Sequence, residues 1–224
     1  DSSLKYYATD GSIFSIKPWA VVLPKDKNDL IDLVKWVNNK KSELPITNDQ
    51  SNPNNQNQKL SITCRGKGTD QTGGPINEGI IVRFPNYLDK ILEIGSDFIR
   101  MEPGVIWSAM NDELAKTNRF VFCYPASEKF ATIGGGVANN CSGEKTVKYG
   151  SMRDYVLSLK MILADGQEVE FNRLNDGQVK RKQAQTDLEG DIYRRMWDLL
   201  ISNHNLIENS RLEVNKSSTG YWLY

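Results

Sequence analysis

The first apolar run, Ala20-Val21-Val22-Leu23, is closed by Pro24 and reads as a short buried strand. Asp26 and Asp29 then stand as a helix N-cap pair, ahead of Leu30, Leu33, Val34 and Val37 at helical spacing. A strand followed by a helix is therefore predicted. Pro45-Ile46 starts another strand, interrupted by a polar stretch at 47–59 that reads as a solvated insertion. Leu60 to Cys64 alternates as a strand and Ile80 to Phe84 is a second apolar one. Further on, Ile91 to Glu102 predicts two short strands turning at Gly95-Ser96-Asp97, and Ile106, Met110 and Leu114 share one helical face. Val156 to Leu163 and Val169 to Phe171 flank an Asp165-Gly166 hairpin turn. Ile192, Met196, Leu199 and Leu200 mark a last apolar helix face.

Two glycine-rich stretches break this pattern: Arg65 to Gly74, between two strands, and Pro125 to Gly150, with Gly134, Gly135 and Gly136 at its centre. Glycine lets backbone approach a ligand closely, so each stretch is a candidate nest of N–H groups for an anion. Each hydrogen bond to a charged phosphate contributes on the order of 1.5–3 kcal/mol, so several make a firm site. A tight turn explains either stretch alone equally well. A Walker-type loop would need Ser or Thr at Gly68, directly after Lys67, and a dinucleotide fingerprint would need glycine at Gln71 or Asn139. Both templates fail.

Composition narrows the remaining choices. In 224 residues, 28 Lys and Arg balance 28 Asp and Glu, so no global nucleic-acid or membrane-surface charge is present. The run Lys180-Arg181-Lys182 reads as a solvated loop. Cys64, Cys123 and Cys141 are odd in number and widely spaced, which argues against a disulfide framework and a zinc site and fits a reducing compartment. No long apolar run suggests a spanning helix, and no signal-peptide pattern opens the chain. His204 is the single histidine, and it follows an apolar helix, where a helix-end role is expected. Self-contained acid–base chemistry is therefore sparse. No catalytic residue and no metal ligand is assigned to this chain.

Taken together, the two stretches resemble the FAD-binding segments of the vanillyl-alcohol oxidase, or p-cresol methylhydroxylase-type, flavoprotein superfamily. Arg65-Gly66-Lys67-Gly68-Thr69 after a strand is similar to its pyrophosphate loop. Pro125-Ala126-Ser127, Ala131 to Gly135, Ala138-Asn139-Asn140, Ser142-Gly143, Tyr149-Gly150-Ser151 and Arg153-Asp154 follow its second segment in order, and Leu163 to Gly166 its next hairpin. Tyr7 to Asp10 and Ser217 to Tyr221 resemble motifs near either end of the domain. Within the superfamily the chain looks most like bacterial D-lactate, glycolate and D-2-hydroxyglutarate dehydrogenases.

The resemblance implies an α+β, two-subdomain FAD-binding domain, divided at 1–84 and 85–224, the second subdomain being C-terminally incomplete. It implies FAD bound non-covalently, since the positions that carry His or Cys in covalent members look like Thr69 and Phe130. Arg65, Gly66, Lys67, Gly68, Thr69, Asp70 and Gln71 would hold the pyrophosphate. Pro125, Ala126, Ser127, Thr132, Ile133, Gly134, Gly135, Ala138, Asn139, Ser142, Gly143 and Tyr149 would line the remainder. Lys67 departs from the small residue usual there, and its side chain either points away or meets phosphate.

The implied activity is oxidation of a D-2-hydroxy acid by hydride transfer to flavin N5, with a separate substrate domain supplying the catalytic groups and a quinone or protein taking the electrons. The chain is accordingly expected to be a fragment of a cytoplasmic enzyme, or of one peripheral to the inner face of a membrane. A flavin-binding subunit without activity of its own, or the FAD domain of an alkyl-transferring flavoenzyme, are the alternatives.

Overall fold

A computed structural model describes residues 2–40, 60–214 and 221–223. The expected strand at Pro45-Ile46, the 47–59 insertion and most of the Ser217 to Tyr221 motif lie outside them. Contacts gather the chain into two compact units, Asp1–Asp154 and Tyr155–Tyr224.

In the first unit, β1 (Ala20–Val22), β2 (Ile62–Arg65) and β3 (Ile80–Arg83) form a parallel sheet in the order β1-β3-β2. Ile80, Ile81 and Val82 are all buried, the continuous apolar run expected of a central strand covered on both faces. Helix α2 (Lys27–Lys40) starts where the aspartates direct it: Asp26 Oδ1 accepts from the N–H groups of Asn28 and Asp29, and Asp29 Oδ2 from that of Lys25. Its Leu30, Leu33 and Val37 pack with Leu60, Ile80 and Val82 into one core. An N-terminal helix, α1 (Ser2–Tyr6), precedes this sheet.

The predicted pair β4 (Ile91–Ile94) and β5 (Ile99–Met101) is antiparallel, and α3 (Trp107–Ala115) buries Trp107, Met110 and Leu114. Three short helical elements were not predicted: α4 (Ile133–Ala138), α5 (Thr146–Tyr149) and a 3-10 turn at Met152–Asp154. Glycine propensity hides α4, because three of its six residues are glycine.

The second unit opens with the hairpin β6 (Ser158–Ile162) and β7 (Glu168–Asn172), turned at Gly166 with φ of 87°. Helix α6 (Asp176–Gln183) contains Lys180-Arg181-Lys182, which corrects their reading as a loop. Its start is fixed by an Asn175–Gln178 capping box. Lys182 pairs with buried Glu189 of α7 (Leu188–Ser202) at 2.6 Å. The α7 face carrying Ile192, Met196 and Leu199 forms as predicted but stays 36–47% exposed. His204 begins α8 (His204–Asn209), at a helix end as expected.

Candidate functional site

The first glycine-rich loop leaves the carboxyl end of β2, where ligands bind in open sheets with parallel strands. Arg65 ends the strand and is buried. Its guanidinium donates to the carbonyls of Thr9 (2.8 Å) and Pro75 (3.5 Å) and lies 5.5 Å from the centre of the Tyr7 ring. The arginine thus ties both the loop's far end and the N-terminal segment to its base. Gly68 turns at φ of 76° directly against that guanidinium, where a side chain would be strained and would have to displace it.

Asp70 organises the next turn. Its Oδ2 accepts from Thr72 N–H (3.1 Å), Thr72 Oγ1 (2.7 Å) and Gly74 N–H (2.9 Å). Burial pushes the carboxyl up, but these bonds outweigh it and hold its pKa below the usual carboxylate value. Between Arg65 and this turn, the N–H groups of Gly66, Lys67, Gly68, Thr69 and Asp70 have no hydrogen-bond partner among the described residues.

The second segment begins with a turn in which the Ser127 carbonyl accepts from the N–H groups of Phe130 and Ala131. Thr132 then caps α4, its Oγ1 accepting from Gly135 N–H at 3.3 Å. The next amides are committed: Ile133 N–H to Val105 (2.8 Å), Gly134 N–H to Pro103 (2.8 Å) and Gly136 N–H to Thr132 (2.9 Å). The triple glycine is therefore not the nest of exposed N–H groups that its sequence suggests. A Cβ on Gly134 would lie 2.6 Å from Pro103 Cβ, and one on Gly136 2.5 Å from the Trp107 ring. Gly135 alone of the three would meet nothing tighter than Thr132 Oγ1, at 3.2 Å.

The two segments meet at one point, where a Cβ on Gly66 would collide with the Thr132 hydroxyl. Gly143 donates its N–H to Thr146 Oγ1 at 2.8 Å, and a Cβ there would collide with the Tyr124 carbonyl. Pro125 lies within contact of it. Tyr149 stacks on Phe122, ring centres 4.5 Å apart. Ala126, Ala138, Asn139 and Gln71 are exposed and Ser142 is half-buried; Asn139 N–H donates to the Gly135 carbonyl. Lys67 lines a groove of about 610 Å³ with Pro85, Asn86, Asp89 and the stretch Gly104 to Ile106.

Some contributors escaped the sequence reading. Thr146 is buried and holds Gly143, and the Asp10-Gly11-Ser12 turn brings Gly11 against the Thr69 and Asp70 carbonyls. The Asp10 to Ser12 spacing is a recognisable Asx-turn signal. Burial raises Cys123 to about 11, and burial together with Cys123 raises Cys141 to about 12, so both thiols are inert small hydrophobes.

Residues 18–172 match the family described as FAD binding domain. A D-2-hydroxyglutarate dehydrogenase of Pseudomonas putida is 26% identical over 216 residues, covering 96% of this chain and 20% of that protein. A D-lactate dehydrogenase of Archaeoglobus fulgidus is 28% identical over 66% of this chain and 30% of its own length. Glycolate oxidase subunit GlcD of Bacillus subtilis is 36% identical over 48% of this chain and 24% of its own. The chain thus spans between about a fifth and a third of these curated relatives. A solved alkyldihydroxyacetonephosphate synthase shares the fold, with a TM-score of 0.53 and 21% identity over 71% of this chain and 26% of that one.

Proposed function

The chain belongs to the FAD binding domain family, and on that premise we propose that it holds the cofactor of a dehydrogenase acting on a D-2-hydroxy acid. The observation that carries this reading is the row of uncommitted N–H groups from Gly66 to Asp70, set against the Thr132 hydroxyl. These residues fit a pyrophosphate. Consecutive backbone donors in a glycine turn suit a chain of phosphate oxygens, and a Cβ at Gly66 would strike the Thr132 hydroxyl beside the first of them. The Thr132 hydroxyl uses a lone pair for Gly135 and keeps its own proton to donate.

Arg65, spent on Thr9 and Pro75, shapes the loop, and Asp70 does the same through Thr72 and Gly74. Pro125 to Ser127, Gly135, Ser142 and Gly143 line the flavin side. Attachment is non-covalent, consistent with Thr69 and Phe130 at the expected linkage positions and with the two raised thiols. When bound, FAD supplies the redox chemistry by accepting a hydride at N5. This chain's part is to bind and orient it. Substrate contacts, the proton acceptor and the quinone or protein electron acceptor belong to residues beyond those described.

FAD is expected to raise the melting temperature of the protein and NAD to leave it unchanged. At a hundredfold excess over Kd the stabilisation is about 2.7 kcal/mol. A response to NAD alone, or to neither, would refute the assignment.

A further inference from the structure

Residues 8–16 fold back on themselves beside the first glycine-rich loop. Ile16 N–H donates to the Ala8 carbonyl at 2.8 Å, and Thr9 and Ser15 pair across an antiparallel bridge. At the tip, Asp10 Oδ1 accepts from Ser12 N–H (2.9 Å) and from the Ser12 hydroxyl, whose oxygen accepts from Phe14 N–H at 3.0 Å. This small hairpin meets the loop at its base, middle and far end. Arg65 donates to the Thr9 carbonyl at 2.8 Å, and the Phe14 ring lies 3.1 Å from where a Cβ on Gly73 would stand. Between them, a Cβ on Gly11 would lie 2.8 Å from the Asp70 carbonyl oxygen and 3.2 Å from that of Thr69.

Gly11 is not among the glycines at positive φ, so backbone conformation alone does not call for glycine there. Space does. Ordinary contact begins near 3.4 Å, and the atoms met are backbone, which cannot swing aside as a flexible side chain would. The contact also has a direction. The carbonyl and N–H of a planar trans peptide point to opposite sides, and no peptide bond among the described residues is cis. The Thr69 oxygen held against Gly11 therefore turns the N–H of Asp70, the last of the five open donors, away from the hairpin.

We propose that Gly11 is a positioning residue for the cofactor's phosphates, a role that rests on the FAD reading above. It acts through the loop. By seating the Thr69 and Asp70 carbonyls it fixes the way the far end of the loop presents its donors, so the amides need not reorganise when a diphosphate arrives. The Asp10–Ser12 turn, in its place, presents Gly11.

The test uses the full-length protein, stripped of cofactor, with FAD titrated by flavin fluorescence well below the melting temperature. Gly11→Ala is expected to weaken FAD about tenfold, the equivalent of roughly one charged hydrogen bond. In that variant at saturating FAD, hydrogen exchange should show protection of Asp70 N–H reduced about tenfold, while that of Gly66 N–H, at the loop's other end, stays within about threefold. Asp10→Ala, which releases the turn, should weaken FAD about threefold or more, and Asp10→Asn, whose amide oxygen still accepts from Ser12, should restore it to within about twofold. Unchanged FAD affinity in Gly11→Ala, or protection lost evenly from Gly66 to Asp70, would overturn the role. Equal FAD affinities in the two Asp10 variants would overturn it as well, and that pair decides the matter if Gly11→Ala does not fold. If the unmodified protein does not bind FAD, the cofactor assignment itself falls, and the role of Gly11 with it.

Discussion

In the stretch Gly66 to Asp70, five consecutive N–H groups have no partner among the described residues, whereas from Ile133 to Gly136 each of the four is bound to Val105, Pro103 or Thr132. Both stretches are rich in glycine, and the residue serves opposite purposes in them. In the first, Gly68 lets the chain turn at positive φ among donors that no described residue engages, although Gly66 and Gly68 also lie hard against Thr132 and Arg65. In the second, glycine lets a short helix sit against Pro103 and Trp107 with no room for a side chain. Glycine content marks places where backbone comes close to something. It does not say whether that something is ligand or core.

Substitution can break the comparison in both directions. The largest effect is expected from Gly66→Val, whose side chain would strike the Thr132 hydroxyl and fill the space beside the open amides. FAD affinity should fall by about two orders of magnitude or more, the equivalent of one or two charged hydrogen bonds. Gly136→Val should act the other way: pressed against Trp107 and Cys141, it costs the cofactor-free fold about 1–3 kcal/mol by overpacking. The FAD affinity of the folded fraction should remain within about threefold. Thermal melts with and without FAD separate the two patterns, and identical patterns would erase the distinction.

Arg65→Met tests the base of the first loop. Removing the guanidinium strands the Thr9 and Pro75 carbonyls, and a loss of about 1–3 kcal/mol in denaturant titrations is expected. Thr132→Val, nearly the same shape without the hydroxyl, should cost about 1 kcal/mol for the lost cap. It should also weaken FAD about tenfold. The smallest effect is in pH. Asp70 has its folded pKa depressed, so its contribution to loop order is fully present above the ordinary carboxylate value near ~3.9 and is lost as pH falls through the depressed pKa. FAD affinity followed from about pH 7 downward should hold until the acid limb, and Asp70→Asn should remove that limb.

Much of the frame was legible because its signals are local. Ile80 to Phe84 read as a strand from an unbroken apolar run, and Asp26 and Asp29 located the start of α2. The α+β class and the cofactor followed from ordered motifs covering most of the chain. What stayed hidden depends on distant partners. Nothing in the local sequence says that Gly134 packs on Pro103, or that Arg65 turns inward to Thr9 instead of toward a phosphate. The α7 stripe of Ile192, Met196 and Leu199 illustrates the reverse case: periodicity identified the helix correctly, but burial is a tertiary property and the face remains exposed.

Amide hydrogen exchange, followed residue by residue in the protein with and without FAD, addresses the contrast most directly. The N–H groups of Gly66 to Asp70 should exchange rapidly in the cofactor-free protein and slow by about tenfold or more when FAD is added, while those of Ile133 to Gly136 should be protected in both states. Protection that FAD confers on Ile133 to Gly136 and not on Gly66 to Asp70 would contradict the account and return the cofactor's phosphates to the triple glycine.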